Sequence, residues 1–282
     1  MYFNERDNQL KFSHSDFEAF AKCEKMWALN QDKSIPKLPA AALINGSAFH
    51  STLEAIIRGS REKDLLQGYQ QQELMKRGIL SLEEYRQKDE KLVDKIIEFR
   101  DATGPASVAL FMDRILPKLR PQDVEYWAVR DLYTGHDGMR RALHCKVDYL
   151  DERGFIVDWK TTSQSPAAAK IERNHKMQAR VNLYCDQRQD FRFVYFGGSG
   201  KAPACYQHCL ILQDEIQDWA DLRWQLEPMI TRMEEIHFGG VEPVPTGSYR
   251  AAYAEGQCDF CDYRDRCRHG ACEMVQGGKV EK

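Results

Sequence analysis

Residues 142–162, ALHCKVDYLDERGFIVDWKTT, limit the fold more than any other stretch of the chain. Val147, Tyr149 and Leu150 favour one β-strand, and Phe155, Ile156, Val157 and Trp159 favour a second. Between them lies Asp151-Glu152-Arg153-Gly154. A three-residue loop with Gly154 in the left-handed conformation closes such a hairpin with a bulge. That register pairs Asp151 with Phe155, and so Asp148 with Asp158. Side chains two apart on a strand share a face, and residues paired across a ladder share one too. Asp148, Asp158 and Lys160 are therefore expected on one side of the sheet, among apolar neighbours.

Two carboxylates held this close repel each other unless a cation sits between them. Mg²⁺ or Mn²⁺ prefers oxygen ligands and also takes phosphate oxygens. Such an ion lowers the pKa of a bound water and polarises a phosphoryl group. Lys160 can orient the water or stabilise charge on the phosphoryl oxygens. The combination suits hydrolysis of a phosphodiester; an exposed charged face with one salt bridge is the plainer alternative. Glu125, on the preceding strand, is either a further ligand or supporting partner, or a solvent-facing edge glutamate.

The rest of the chain reads as helices followed by alternating strands and helices. Ser15 with Glu18 matches a capping box and opens a helix expected over 16–30, in which Cys23 reads as a small core residue. Residues 31–42 read as a loop. A second helix, opened near Gly46, carries Ala48, Phe49, His50 and Leu53. Two or three helices joined near Gly78 and Ser81 fill 62–100, and a short one fills 106–119. Strands are expected at 124–129, 142–150, 155–161, 191–196 and 205–212. Met177, Val181 and Tyr184 recur at helical spacing in a crossover over 166–188, and a long helix follows over 214–236. This order suggests a helical region 1–120, a core 121–237 and a Cys-rich tail 238–282.

Hydrophobic residues at 43% and charged residues at 29% fit a folded chain. The net charge of -3 argues mildly against binding nucleic acid by bulk charge alone, but a local field is enough. Lys170, Arg173, His175, Lys176 and Arg180 follow the hairpin and offer such a basic track for DNA. No apolar leader core and no run of about 18 apolar residues occurs, so the expectation is an intracellular chain with no membrane partner. No phosphate-loop motif is present, so no nucleotide cofactor is expected.

Nine cysteines are many for a reducing compartment, and an odd number does not suggest a disulfide scaffold. Cys258, Cys261 and Cys267 form a Cys-x2-Cys-x5-Cys run that reads as metal ligands. Candidates for a fourth ligand are Cys272, His269 and Cys23. Spacing alone allows zinc or an iron–sulfur cluster.

Taken in order, these motifs resemble the RecB-like branch of the PD-(D/E)XK nuclease superfamily, which includes Cas4-like and AddB-type nuclease domains. His50 in Gly46-Ser47-Ala48-Phe49-His50 is similar to the family's early helical histidine. Asp148 in Cys145-Lys146-Val147-Asp148 matches the Gly-x-x-Asp strand, with Cys145 in the glycine's place. Asp158-Trp159-Lys160 matches the Asp-Tyr-Lys strand. Gln178 fits a Gln-x-x-x-Tyr helix, where Asn182 holds the tyrosine position and Tyr184 lies two residues beyond.

The resemblance implies an α/β fold: a restriction-endonuclease-like core with a mixed central sheet flanked by helices, and a C-terminal Cys-rich iron–sulfur element. It implies Mg²⁺ or Mn²⁺ held by His50, Asp148, Asp158 and the Trp159 carbonyl, with Lys160 and Gln178 completing the catalytic set. It also implies a [4Fe-4S] cluster on Cys23, Cys258, Cys261 and Cys267. The activity implied is a DNA exonuclease on single strands or duplex ends. It would serve recombination, repair or CRISPR-adaptation-like processing, with a recombination or helicase partner, in the cytoplasm of a bacterial or phage-infected cell. A non-cleaving nucleic-acid-binding or assembly module is the alternative that the same fold allows.

Overall fold

The computed structural model describes residues 1–32, 40–62, 64–87, 89–162, 168–188, 190–197, 204–211 and 219–243. In chain order the elements are β1 (Tyr2–Asn4), β2 (Gln9–Phe12), α1 (His14–Lys22), α2 (Glu24–Gln31), α3 (Ala41–Ile57), α4 (Leu65–Lys76), α5 (Leu82–Arg86), α6 (Glu90–Glu98) and α7 (Gly104–Leu110). Then follow β3 (Pro121–Thr134), β4 (Arg140–Asp151), β5 (Phe155–Thr162), α8 (Ala168–Asp186), β6 (Asp190–Gly197), β7 (Ala204–Ile211) and α9 (Trp219–His237). No described helix is long and apolar enough to cross a membrane. The chain falls into two compact units, one of residues 1–38, 129–144 and 217–282, the other of 39–128 and 145–216.

In the first unit, β1 and β2 form an antiparallel hairpin, and β2 runs parallel to the start of β4, with Leu10 opposite Arg141 and Phe12 opposite Leu143. Leu10, Phe12, Leu143, Phe17 and Trp27 are buried, with Leu226, Ile230 and Met233 of α9. Arg141 forms an ion pair with Glu234 at 2.7 Å. The expected helix over 16–30 is in fact two. Its cap is Ser13, not Ser15: the Ser13 side chain accepts from the Asp16 N–H, and Asp16 accepts from the Ser13 N–H at 2.9 Å. The helix then stops at Cys23, whose backbone is extended (φ -167°, ψ 117°) and whose Sγ accepts from the Met26 N–H at 3.4 Å. A residue whose side chain satisfies a free N–H at a new helix start acts as an N-cap.

The second unit holds the rest of β4, with β5, β6 and β7. β4 and β5 are antiparallel, β5 and β6 parallel, and β6 and β7 antiparallel, so this part of the sheet is mixed. The parallel step needs a crossover, which α8 supplies. Gly154 in the β4–β5 turn has φ 87° and its N–H reaches the Asp151 carbonyl at 2.8 Å. The pairs Tyr149↔Val157 and Leu150↔Ile156 carry on to Asp148 opposite Asp158.

Alternation then sends Tyr149, Val157 and Trp159 into a core with Ala48, Phe49 and Leu53 of α3, and with Phe111 and Phe196. The rings meet edge-on, Phe111 with Trp159 at 5.6 Å and Phe49 with Phe196 at 5.2 Å, an arrangement aromatic pairs favour. α3 begins at Ala41 rather than near Gly46, because Ala41 and Ile44 are buried in a second cluster with Leu74, Leu92 and Ile96.

Candidate metal and catalytic site

The residues that alternation sends to the other side of the hairpin are Asp148, Asp158 and Lys160. Both aspartates are buried. Asp148 Oδ2 accepts the Trp159 N–H at 2.9 Å, so one strand's carboxylate is fastened to the other strand's backbone. Lys160 Nζ lies 2.8 Å from Asp158 Oδ2. Gln178, on α8, donates from Nε2 to Asp158 Oδ1 at 2.5 Å.

Two further groups arrive from outside the hairpin. His50 follows Phe49 on α3, and the burial of Ala48, Phe49 and Leu53 holds that turn of helix in place. Its Nδ1 lies 3.3 Å from Asp148 Oδ2. Glu125 sits in β3 with φ 56°, a left-handed value that is uncommon for a residue with a side chain. The kink interrupts the strand's alternation, and the Glu125 side chain is only 4% exposed. Ligand atoms of His50, Glu125 and Asp148 all lie within 4.8 Å of one another. Of the two sequence readings of Glu125, the solvent-facing one does not hold.

Lys146 was not singled out in the sequence, although it lies two residues before Asp148 and so on the same face of β4. It forms an ion pair with Glu125.

The electrostatics follow from too many carboxylates in too little water. Burial opposes charge on His50, yet the adjacent Asp148 carboxylate outweighs it and lifts the imidazole to about 9. Burial also works against the Asp148 anion, but His50, Lys160 and the Trp159 N–H together hold its carboxyl below the usual range. Asp158 is pushed up by burial and by Asp148, against the pull of Lys160. Glu125 is pushed up by burial and by Asp148, against Lys146. A cation among these groups would favour every charged carboxylate at once. Two carboxylates and an imidazole within reach of one another are a donor set that Mg²⁺ or Mn²⁺ accepts.

The expected [4Fe-4S] cluster is corrected. The metal-capable grouping among the described residues is His50, Glu125 and Asp148, a set of oxygen and nitrogen donors with no thiolate. Cys23, the early member of the expected cluster, is half-buried and caps α2 through its Sγ. Cys258, Cys261 and Cys267 lie outside the described residues, as do Cys272 and His269. The cysteines Cys145 and Cys185 are buried and not in disulfides.

The expected DNA track divides. Lys176 is exposed on α8, but Arg180 is only 7% exposed and faces inward. The side chains of Lys170 and Arg173 lie outside the described set. His175 packs its ring against Phe193 at 5.4 Å. Asn182 and Tyr184, the two contenders for the last family position, are both buried.

Over residues 11–268 the sequence matches the family model described as the PD-(D/E)XK nuclease superfamily. No curated protein matches it. A crystal structure from Eubacterium rectale, described as a candidate exonuclease, is similar at 14% identity and a TM-score of 0.57, covering 89% of this chain and 93% of that one. The crystal structure of SSO0001 is less similar, at 15% identity and a TM-score of 0.38, covering 66% of this chain and 80% of that one. The first of these is a likeness of fold; the family match rests on the sequence itself and spans most of the molecule. The chain belongs to the PD-(D/E)XK nuclease superfamily.

Proposed function

We propose that the protein is a divalent-metal-dependent deoxyribonuclease that shortens DNA from single strands or duplex ends. The observation that carries this reading is the convergence of Asp148, Asp158 and Lys160 from one hairpin with His50 and Glu125 from two other elements. Surface charges gather without function often; buried carboxylates facing one another rarely do, because burial without compensation is costly. The exonuclease reading draws on the Eubacterium rectale relative's description, at the level of fold.

His50, Glu125, Asp148 and Asp158, with the Trp159 carbonyl, would hold Mg²⁺ or Mn²⁺. When bound, the ion supplies Lewis acidity toward a phosphoryl oxygen and acidity to a water. Lys160 offers the positive charge that a phosphate gaining negative charge requires. Gln178 fixes Asp158 by its hydrogen bond, so the carboxylate does not swing with Lys160. The Trp159 N–H does the same for Asp148. His50 must give up its proton to act as a ligand, and the Asp148 carboxylate beside it governs when it does. Lys176, with Lys170 and Arg173, is proposed to meet the DNA backbone.

The test is cleavage of end-labelled linear and circular DNA with Mg²⁺ or Mn²⁺, by wild type and by Asp158→Ala. Metal-dependent loss of linear DNA by wild type alone supports an exonuclease. Cutting of circles would make it an endonuclease. DNA binding without any cutting would favour the non-cleaving module instead.

A further inference from the structure

One buried hydroxyl beside this centre has no hydrogen-bond partner among the described residues. Tyr195 lies on β6 opposite Lys160 in the parallel ladder, two residues beyond the Asp158↔Phe193 pair. Paired residues share a face, so the phenol stands alongside the Lys160 stem, on the side of the sheet that carries Asp158. Tyr195 is 4% exposed. Its ring packs 6.1 Å from Phe193 and 6.3 Å from His175. A phenylalanine would make those ring contacts equally well. The hydroxyl, however, is buried with no hydrogen-bond partner among the described residues.

Two acceptors on the same side are under-used. Among the described residues, Asp158 Oδ2 takes the Lys160 ion pair at 2.8 Å but no aligned hydrogen bond. Asn182 Oδ1, one helical turn beyond Gln178 on α8, is buried and has no hydrogen-bond partner among the described residues. Burial opposes ionisation of the phenol, and the negative field of Asp158 adds to it, so the hydroxyl remains a donor. Buried polar groups left without partners destabilise a fold. Such a group persisting beside a reactive centre points to a partner that arrives when the centre works.

We infer that Tyr195 is a positioning residue of the nuclease centre: its hydroxyl donates to the Asp158 carboxylate, directly or through one buried water shared with Asn182, when Lys160 turns from Asp158 toward substrate. This rests on the nuclease reading above. The physical need is plain. Once the Lys160 ammonium moves to a phosphate, Asp158 loses a positive partner on the protein side, and among the described residues the Gln178 amide is then its one hydrogen-bond donor. A second donor keeps the carboxylate aimed.

The experiment compares wild type, Tyr195→Phe and Asp158→Ala on end-labelled linear DNA with Mn²⁺, reading kcat, KM for DNA and thermal unfolding of each. The expected result for Tyr195→Phe is a kcat about tenfold lower, as when one placed hydrogen bond is lost, with KM within about twofold. Its Tm should be equal to or above that of wild type, since an unpaired buried hydroxyl has gone. An unchanged kcat overturns the inference and leaves the nuclease reading standing. A fall in kcat matched by a fall in Tm also overturns it, in favour of a purely structural role. A wild type that cuts nothing removes both.

Discussion

Two ends of one hairpin hold buried aspartates in opposite circumstances. At the turn, Asp151 is fully buried and amply supplied with donors. It accepts from the Arg120 N–H at 3.1 Å, the Tyr149 hydroxyl at 2.9 Å, the Arg153 N–H at 3.0 Å and the Arg153 guanidinium at 2.6 and 2.9 Å. Burial pushes its carboxyl up, but these donors prevail and hold it well below the usual range. Three residues back, and across the ladder, Asp148 and Asp158 face each other with fewer donors than acceptor sites. Asp158 is pushed up. The residue type is the same and the strands are the same. The turn end uses its carboxylate to fix the fold, and the open end leaves charge for something else to neutralise.

The comparison can be broken most sharply by activity. Asp158→Ala should lower DNA cleavage by roughly a thousandfold or more, the scale expected when a group acting on the transition state is removed. Its folding stability should be equal or higher, because a poorly compensated buried charge has gone. A variant that unfolds while the residual folded fraction keeps full specific activity would reverse the assignment of the two ends.

Asp151→Ala should do the opposite. It strands the Tyr149 hydroxyl and the Arg120 N–H, and breaking a buried pair costs about 3 kcal/mol. Urea unfolding measures that loss, and the folded fraction should cut DNA at the wild-type rate.

A third test follows from His50, which holds its proton up to about 9. Below that pH a metal must displace the proton, so affinity should rise about tenfold per pH unit toward pH 9 and level off above it. Mn²⁺ titration calorimetry from pH 6 to 9 reads this directly. His50→Ala should flatten the slope while weakening binding. An equal slope in the variant would mean that His50 is not a ligand.

The smallest effect separates the aspartates by sign. Asp151 has a depressed folded pKa, so its stabilisation is present above the unfolded value near 3.8 and fades as pH falls. Asp158 has a raised folded pKa, so it relieves destabilisation as pH falls through that value. Between pH 7 and 3, the stability of Asp151→Asn should vary less with pH than that of wild type. Asp158→Asn should vary more. Denaturation midpoints across that range would expose a shared sign.

The hairpin was readable in advance because a tight turn leaves one register, and register decides faces. Gly154 gave the turn, and Asp148, Asp158 and Lys160 followed from counting by twos. His50 and Gln178 needed the family resemblance, since nothing local says which helix face meets a distant strand.

What stayed hidden has physical reasons. β1 and β2 have three and four residues, too few for periodicity to register, and both Leu10 and Phe12 depend on β4 for burial partners. The break at Cys23 was masked because Phe20 and Trp27 keep helical spacing across it, while the Cys23 sulfur does a job usually given to Ser or Asp. Arg180 looked like a surface cation because charge is a poor guide to burial on a helix packed along a sheet. The [4Fe-4S] expectation failed for a different reason. Cysteine spacing records what a loop can bind, whereas the donors gathered in the described molecule come from a histidine and two acidic residues far apart in sequence. Glu125 belongs to that set through a backbone kink that no side-chain pattern announces.

That kink has a thermodynamic meaning for any ion the site receives. A left-handed glutamate inside a strand stores about 1 kcal/mol of strain, and folding, not ligation, meets that cost. The donor set is thus shaped before its guest arrives, and departure of the guest would not let the strand relax. Glu125→Gly should therefore loosen the grip on Mn²⁺ while leaving the strand itself more comfortable, so that affinity and backbone ease change in opposite directions at a single position.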